Sequence, residues 1–190
     1  ARRLPMNGSR PVRPGYTLIE VMVTLVLLVA IAATLLPALS TELLSSRVDR
    51  ADTELKALTD ALAAFDGDVG EWPASLDQLV APIGAADRDI CGGTYNGGEQ
   101  NDWAGPYLDR SLADAGLPVG IGAADRVLGR VPGPGIDYLL VRVAGVDTRD
   151  ALELDEQVDG DGNPDGGTVR WTPTGDGRVV LTWTVAIDPC

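Results

Sequence analysis

Glu20 is the first residue whose position demands a chemical explanation. Between Glu20 and Glu42 lie 21 residues without a charge, and Glu20 opens that run with Tyr16-Thr17-Leu18-Ile19 before it and Val21-Met22-Val23 after it. A carboxylate in an apolar stretch is costly to desolvate and is ordinarily kept for a partner charge. A cation supplied from elsewhere would neutralise it; at the edge of a bilayer it could also simply reach the headgroups. Cys91 and Cys190 form the second candidate set. An even pair in an exported domain favours a disulfide, while a metal site lacks histidine to complete it. Closing a loop of about 100 residues would stabilise the domain by a few kcal/mol in the chain-entropy model.

The third set is the run Asp159-Gly160-Asp161-Gly162-Asn163-Pro164-Asp165-Gly166-Gly167. The alternating oxygens of Asp159, Asp161, Asn163 and Asp165 could converge on a hard cation such as Ca2+. Asp161, Asn163, Asp165 and Gly166 match the opening of an EF-hand loop, and the match stops at Thr172, where the closing Glu is required. The competing reading is a polar turn between a helix and a strand, which favours the same residue types. No other cofactor is implied.

Enzymatic chemistry has little material here. The chain contains no His, its single Lys is Lys56 on a helix surface, and its carboxylate pairs sit in the Gly-rich loop. The formal charge is −13, with 15 basic and 28 acidic residues. Four of the basic ones, Arg2, Arg3, Arg10 and Arg13, lie in the first 15 residues, which hold no acid. The remainder is therefore still more acidic, which disfavours nucleic acid as a partner.

These residues need elements to position them. Residues 21–41 as a helix rise about 1.5 Å each, enough to span a ~30 Å hydrocarbon layer. The preceding arginines place residues 1–15 on the cytoplasmic side and the C-terminal domain outside. An ordinary secretory signal has a shorter apolar region and a small-residue cleavage site, and Pro37-Ala38-Leu39-Ser40 does not supply one.

Arg13-Pro14-Gly15-Tyr16-Thr17-Leu18-Ile19-Glu20 resembles the processing motif of the type IV pilin and type II secretion pseudopilin superfamily. In that motif a short basic leader ends in Gly, followed by an aromatic residue, Thr-Leu-Ile-Glu and an apolar run. Tyr16 stands where Phe is usual. Met6 is a candidate start for the leader, and Pro37 falls where many members carry a helix-disturbing proline. The resemblance implies cleavage after Gly15 by a prepilin peptidase and N-methylation of Tyr16. It implies that Glu20 neutralises the new amine of a neighbouring subunit, and that Glu20 and Pro37 serve assembly. Identical or related pilin subunits in a helical filament and the inner-membrane assembly machinery are the implied partners. The location implied is the inner membrane first, then a periplasmic or extracellular filament. Two other functions stay open: a type II secretion pseudopilin, and a membrane-anchored binding module that does not polymerise.

Beyond the apolar run, Leu44, Val48, Ala51, Leu55, Leu58, Leu62 and Phe65 recur at spacings of four and three, one stripe of a helix. Asp52 and Lys56 are spaced for an ion pair on it. One helix over 16–66 follows, kinked or loosened at Pro37. Trp72-Pro73 then introduces a short helix capped by Ser75 and Gln78. Residues 84–135 show no sustained periodicity, apart from a packed turn at Trp103–Leu108. Strands are expected at 136–143, 168–172 and 178–187, the last with Val179, Leu181, Trp183, Val185 and Ile187 on one face. The class is α+β: a basic leader over 1–15, a long helix over 16–66 whose first half spans the membrane at about 21–41, and a pilin-like head over 67–190 with a small antiparallel sheet.

Overall fold

The computed structural model describes residues 16–190, except for the side chains of 34–45. The leader with Met6 and Gly15, and the side chain of Pro37 with its expected kink, lie outside the described residues. The chain divides into two compact units, Ala1–Glu42 and Leu43–Cys190.

The first unit holds the opening part of helix α1 (Leu18–Val69). Over residues 18–33 apolar side chains occupy every face, and Leu18, Ile19, Met22, Val26 and Leu28 all remain exposed. Among the described residues, no helix is long and apolar enough to cross a membrane. Of the expected span 21–41, residues 34–41 fall outside the described side chains.

The second unit builds its core from two periodicities. On α1, Val48, Ala51, Leu55, Leu58, Leu62 and Phe65 are buried, the stripe that the three-and-four spacing predicts. Ala61 and Val69 extend it. Facing it is an antiparallel sheet of β1 (Leu117–Val119), β2 (Gly122–Ala124), β3 (Gly129–Pro132), β4 (Asp137–Asp147), β5 (Val169–Pro173) and β6 (Arg178–Ile187). The order is β1-β2-β4-β6-β5, with β3 also pairing β4. Strands send alternate side chains to opposite faces. Leu139, Val141 and Val143 on β4 are buried, as are Val179, Leu181 and Trp183 on β6 and Val169 and Trp171 on β5. Each large apolar side chain in this layer contributes on the order of 1.5–3 kcal/mol by burial. The Trp183 indole N–H also donates to Thr59 Oγ1 at 3.1 Å, joining sheet to helix.

Gly120 makes a close approach possible at the β1–β2 turn. A Cβ there would stand 2.5 Å from the Arg47 carbonyl oxygen on α1. Beside it, Glu54 is only 7% exposed, and its carboxylate accepts from Arg50 at 2.9 Å, Arg110 at 3.1 Å and the Gly120 N–H at 2.9 Å. Burial pushes the Glu54 carboxyl up, but the two guanidiniums outweigh it and hold the group below its ordinary value. The expected Asp52–Lys56 pair forms at 2.8 Å.

The α+β class holds, with corrections inside it. The helix begins at Leu18 and ends at Val69 rather than running over 16–66. Residues 84–135 contain a short helix α3 (Gly97–Asp102) and β1 to β3, strands of three or four residues, too short to show a period. The complete capping box belongs to Asn96 and Glu99 on α3. At the short helix α2 (Asp77–Val80) the expected Ser75–Gln78 box is only half made. Gln78 Oε1 accepts from the Ser75 N–H at 3.3 Å, whereas Ser75 Oγ takes the Asp77 N–H at 3.2 Å. The Asp77 side chain is itself engaged by Arg126, which holds its carboxyl below the usual range. The Trp103–Leu108 turn packs as expected: the Tyr107 ring meets Phe65 at 5.6 Å and Trp103 at 5.7 Å.

Candidate assembly site

The N-terminal end of α1 is shaped by Thr17. Its Oγ1 accepts the Glu20 N–H at 3.3 Å and its carbonyl accepts the N–H groups of Glu20 and Val21, at 3.1 and 3.2 Å. Thr17 therefore caps the helix, and Glu20 occupies the third helical position, where the helix dipole favours an acid. Thr17-x-x-Glu20 is the spacing of a capping box, a signal that sequence reasoning overlooked while reading Glu20 as an anomaly in an apolar run and as part of the processing motif. Tyr16, 83% exposed, precedes the cap, and Tyr16, Glu20, Val21 and Thr24 line one shallow groove. Among the described residues, no Lys or Arg pairs with Glu20. The site presents an exposed carboxylate beside the chain's Tyr16, framed by exposed aliphatic side chains. It can accept a cation and bury apolar surface in one event.

Cys91 and Cys190 are joined in a disulfide with Cα atoms 5.7 Å apart, closing a separation of 99 residues. They line a cleft with Asp66, Glu71, Asp89 and Asp188. Burial and the neighbouring Asp188 charge push the Asp66 carboxyl up. Burial, with Asp89, Glu99 and Asp66, does the same for Glu71.

The acidic run connects α4 (Thr148–Val158) to β5. Asp159 Oδ2 accepts the Val169 N–H at 2.7 Å, Asp161 Oδ1 the Asn163 N–H at 3.0 Å, and Asn163 Oδ1 the Asp165 N–H at 3.2 Å. The Pro164 carbonyl accepts from the Trp171 N–H at 3.1 Å, so the loop straps the free edge of β5. Of the four side chains expected to surround Ca2+, those of Asp159, Asp161 and Asn163 thus accept backbone N–H groups of the turn. Among the described residues, no group of three or more Asp, Glu, His or Cys side chains is arranged to hold a metal. Under this loop lies Asp155, fully buried, its two carboxylate oxygens without a hydrogen bond of good geometry. Burial, then Asp161 and Asp159, push its carboxyl up; the backbone N–H groups of Gly162 and Asn163 offset this only in part. Sequence reasoning missed Asp155, because its burial depends on how α4 docks on the sheet.

Residues 11–36 match the family described as the prokaryotic N-terminal methylation motif. No match is found among curated proteins or among solved structures. The chain carries the prepilin-type motif of type IV pilins and pseudopilins, on a fold in which a long helix packs on a small antiparallel sheet.

Proposed function

From that motif we propose that the chain is a structural subunit of a type IV pilus-like filament, processed after Gly15, methylated at Tyr16 and assembled through its N-terminal helix. The observation that carries this reading is the methylation motif at 11–36 with Glu20 exposed beside Tyr16 and, among the described residues, without a basic partner. Cleavage at Gly15 would leave a new amine four peptide bonds before Glu20. In a low-dielectric bundle that amine requires a counter-charge, and Glu20 of an adjacent copy supplies one. Such a pair acts chiefly on register, since breaking it is costly even where its net stabilisation is small. The exposed aliphatic side chains of α1 supply contact area, against lipid before assembly and against other copies after it.

The test is Glu20→Leu expressed beside the wild type. The expected result is unchanged membrane association with filament yield reduced at least tenfold, counted by electron microscopy. Normal filaments from Glu20→Leu would overturn the reading. N-terminal sequencing gives a second readout: subunits from filaments are expected to begin at methylated Tyr16.

A further inference from the structure

The outer face of the sheet, turned away from α1, differs in charge from the rest of the chain. The ladder places Arg142, Thr182 and Arg170 side by side across β4, β6 and β5. Tyr138, Leu140 and Val180 share this face, half-buried, and Val131 on β3, opposite Tyr138, is 47% exposed. The Arg170 guanidinium lies 5.9 Å from the Tyr138 ring centroid. Among the described residues, neither Arg142 nor Arg170 makes an ion pair. The outward positions 138, 140 and 142 on β4, 180, 182, 184 and 186 on β6 and 170 and 172 on β5 include no acid. The nearest is Asp125, just past the end of β2, whose N–H donates to the Arg142 carbonyl at 2.8 Å; it makes no ion pair with Arg142.

A surface combining Tyr, aliphatic groups and Arg without an acidic partner has the composition of an interface core rather than of ordinary solvent-facing sheet, although Arg170 also donates to the Gly167 carbonyl at 3.2 Å. Its cationic character stands out in a chain of net charge −13. The same chain carries the complementary surface: the cleft of Asp66, Glu71, Asp89 and Asp188 beside the disulfide. We propose that the Arg142–Arg170 sheet face docks the acidic cleft of a second copy of this chain. The two surfaces are different patches of one head. The contact is therefore heterologous, the kind that a filament requires and that extends as an open series when its rotation does not close a ring, instead of an isologous two-fold dimer. This deepens the filament reading and rests on it.

The experiment uses the processed full-length chain, with wild type, Arg142→Glu/Arg170→Glu, Glu71→Arg/Asp188→Arg and the four-site combination, each checked for folding by circular dichroism and an intact disulfide. Each double reversal is expected to lower filament yield by about tenfold or more, turning attraction into repulsion at two sites. The four-site variant is expected to recover most of that loss. A photo-crosslinker at Leu140 should join peptides containing residues 66–72 or 87–93 of another copy. Filaments from Arg142→Glu/Arg170→Glu at wild-type yield, or crosslinks to a different protein alone, would overturn the docking and leave the filament reading standing. Wild type that is correctly processed yet stays monomeric would overturn both.

Discussion

The opening turns of α1 and the head treat hydrophobic residues in opposite ways. In the head, apolar side chains recur every three or four residues on α1 and every second residue on β4 and β6, and they end buried. Along residues 18–33 they occupy all faces of the helix and remain exposed. The head satisfies its own hydrophobic pattern, whereas the helix start leaves its pattern exposed. Polar groups follow the same division: Glu54 is matched within the head by two guanidiniums, whereas Glu20 is exposed and, among the described residues, has no basic partner.

This contrast can be broken from the head side, beginning with the largest effect. Phe65→Ala, at a fully buried position against Tyr95 and Tyr107, should cost about 3–5 kcal/mol and be read as a lowered urea midpoint. It should leave membrane association unchanged, because the core and the apolar helix start are independent stores of hydrophobic surface. Replacing Cys91 and Cys190 together by Ser should cost about 2–4 kcal/mol, measured the same way.

Charge substitutions sharpen the comparison at smaller scale. Glu54→Gln should lose about 1–2 kcal/mol at pH 7, since its arginines are partly exposed. The Glu54 carboxyl lies below its ordinary value in the folded state, so its contribution is present above the unfolded pKa and lost as pH falls through the folded one. Acid melts should therefore be shallower for Glu54→Gln than for wild type. Asp155→Asn should act in the opposite direction. Burial raises the Asp155 carboxyl, so its favourable contribution is complete below the unfolded pKa and disappears as pH rises through the folded one. Asp155→Asn is expected to gain about 1 kcal/mol at pH 7.5 and to flatten the decline in melting temperature as pH rises above the ordinary carboxylate range. An equal slope in wild type and variant would remove Asp155 from the account.

Much of this architecture is legible where a period runs long enough. The α1 stripe needs only the spacing of Val48 to Phe65, and β4 and β6 declare themselves by alternation over ten or eleven residues. β1, β2 and β3 do not, because three or four residues cannot separate a strand from a loop. Their pairing is fixed by long-range contacts such as Gly120 against Arg47. At the candidate site, the type and spacing of Gly15, Tyr16 and Glu20 were readable, and the cap from Thr17 lay unnoticed in the same letters. Ser75 was assigned the wrong partner because the choice between an amide two or three residues on depends on backbone angles. Asp155 had no sequence signal at all. Nothing distinguishes it from the surface acids Glu153 and Glu156 until α4 is placed.

The disulfide has a mechanical consequence. All six strands lie between Cys91 and Cys190, and α1 lies outside that interval. Fully extended, the 99-residue separation would measure about 330 Å, yet the crosslink short-circuits it to a few ångströms of covalent path. Tension applied between α1 and Cys190 would bypass the sheet's contour entirely. A chain pulled between those points would lengthen by peeling α1 and the segment before Cys91, while the strand-bearing ring kept its hidden length closed.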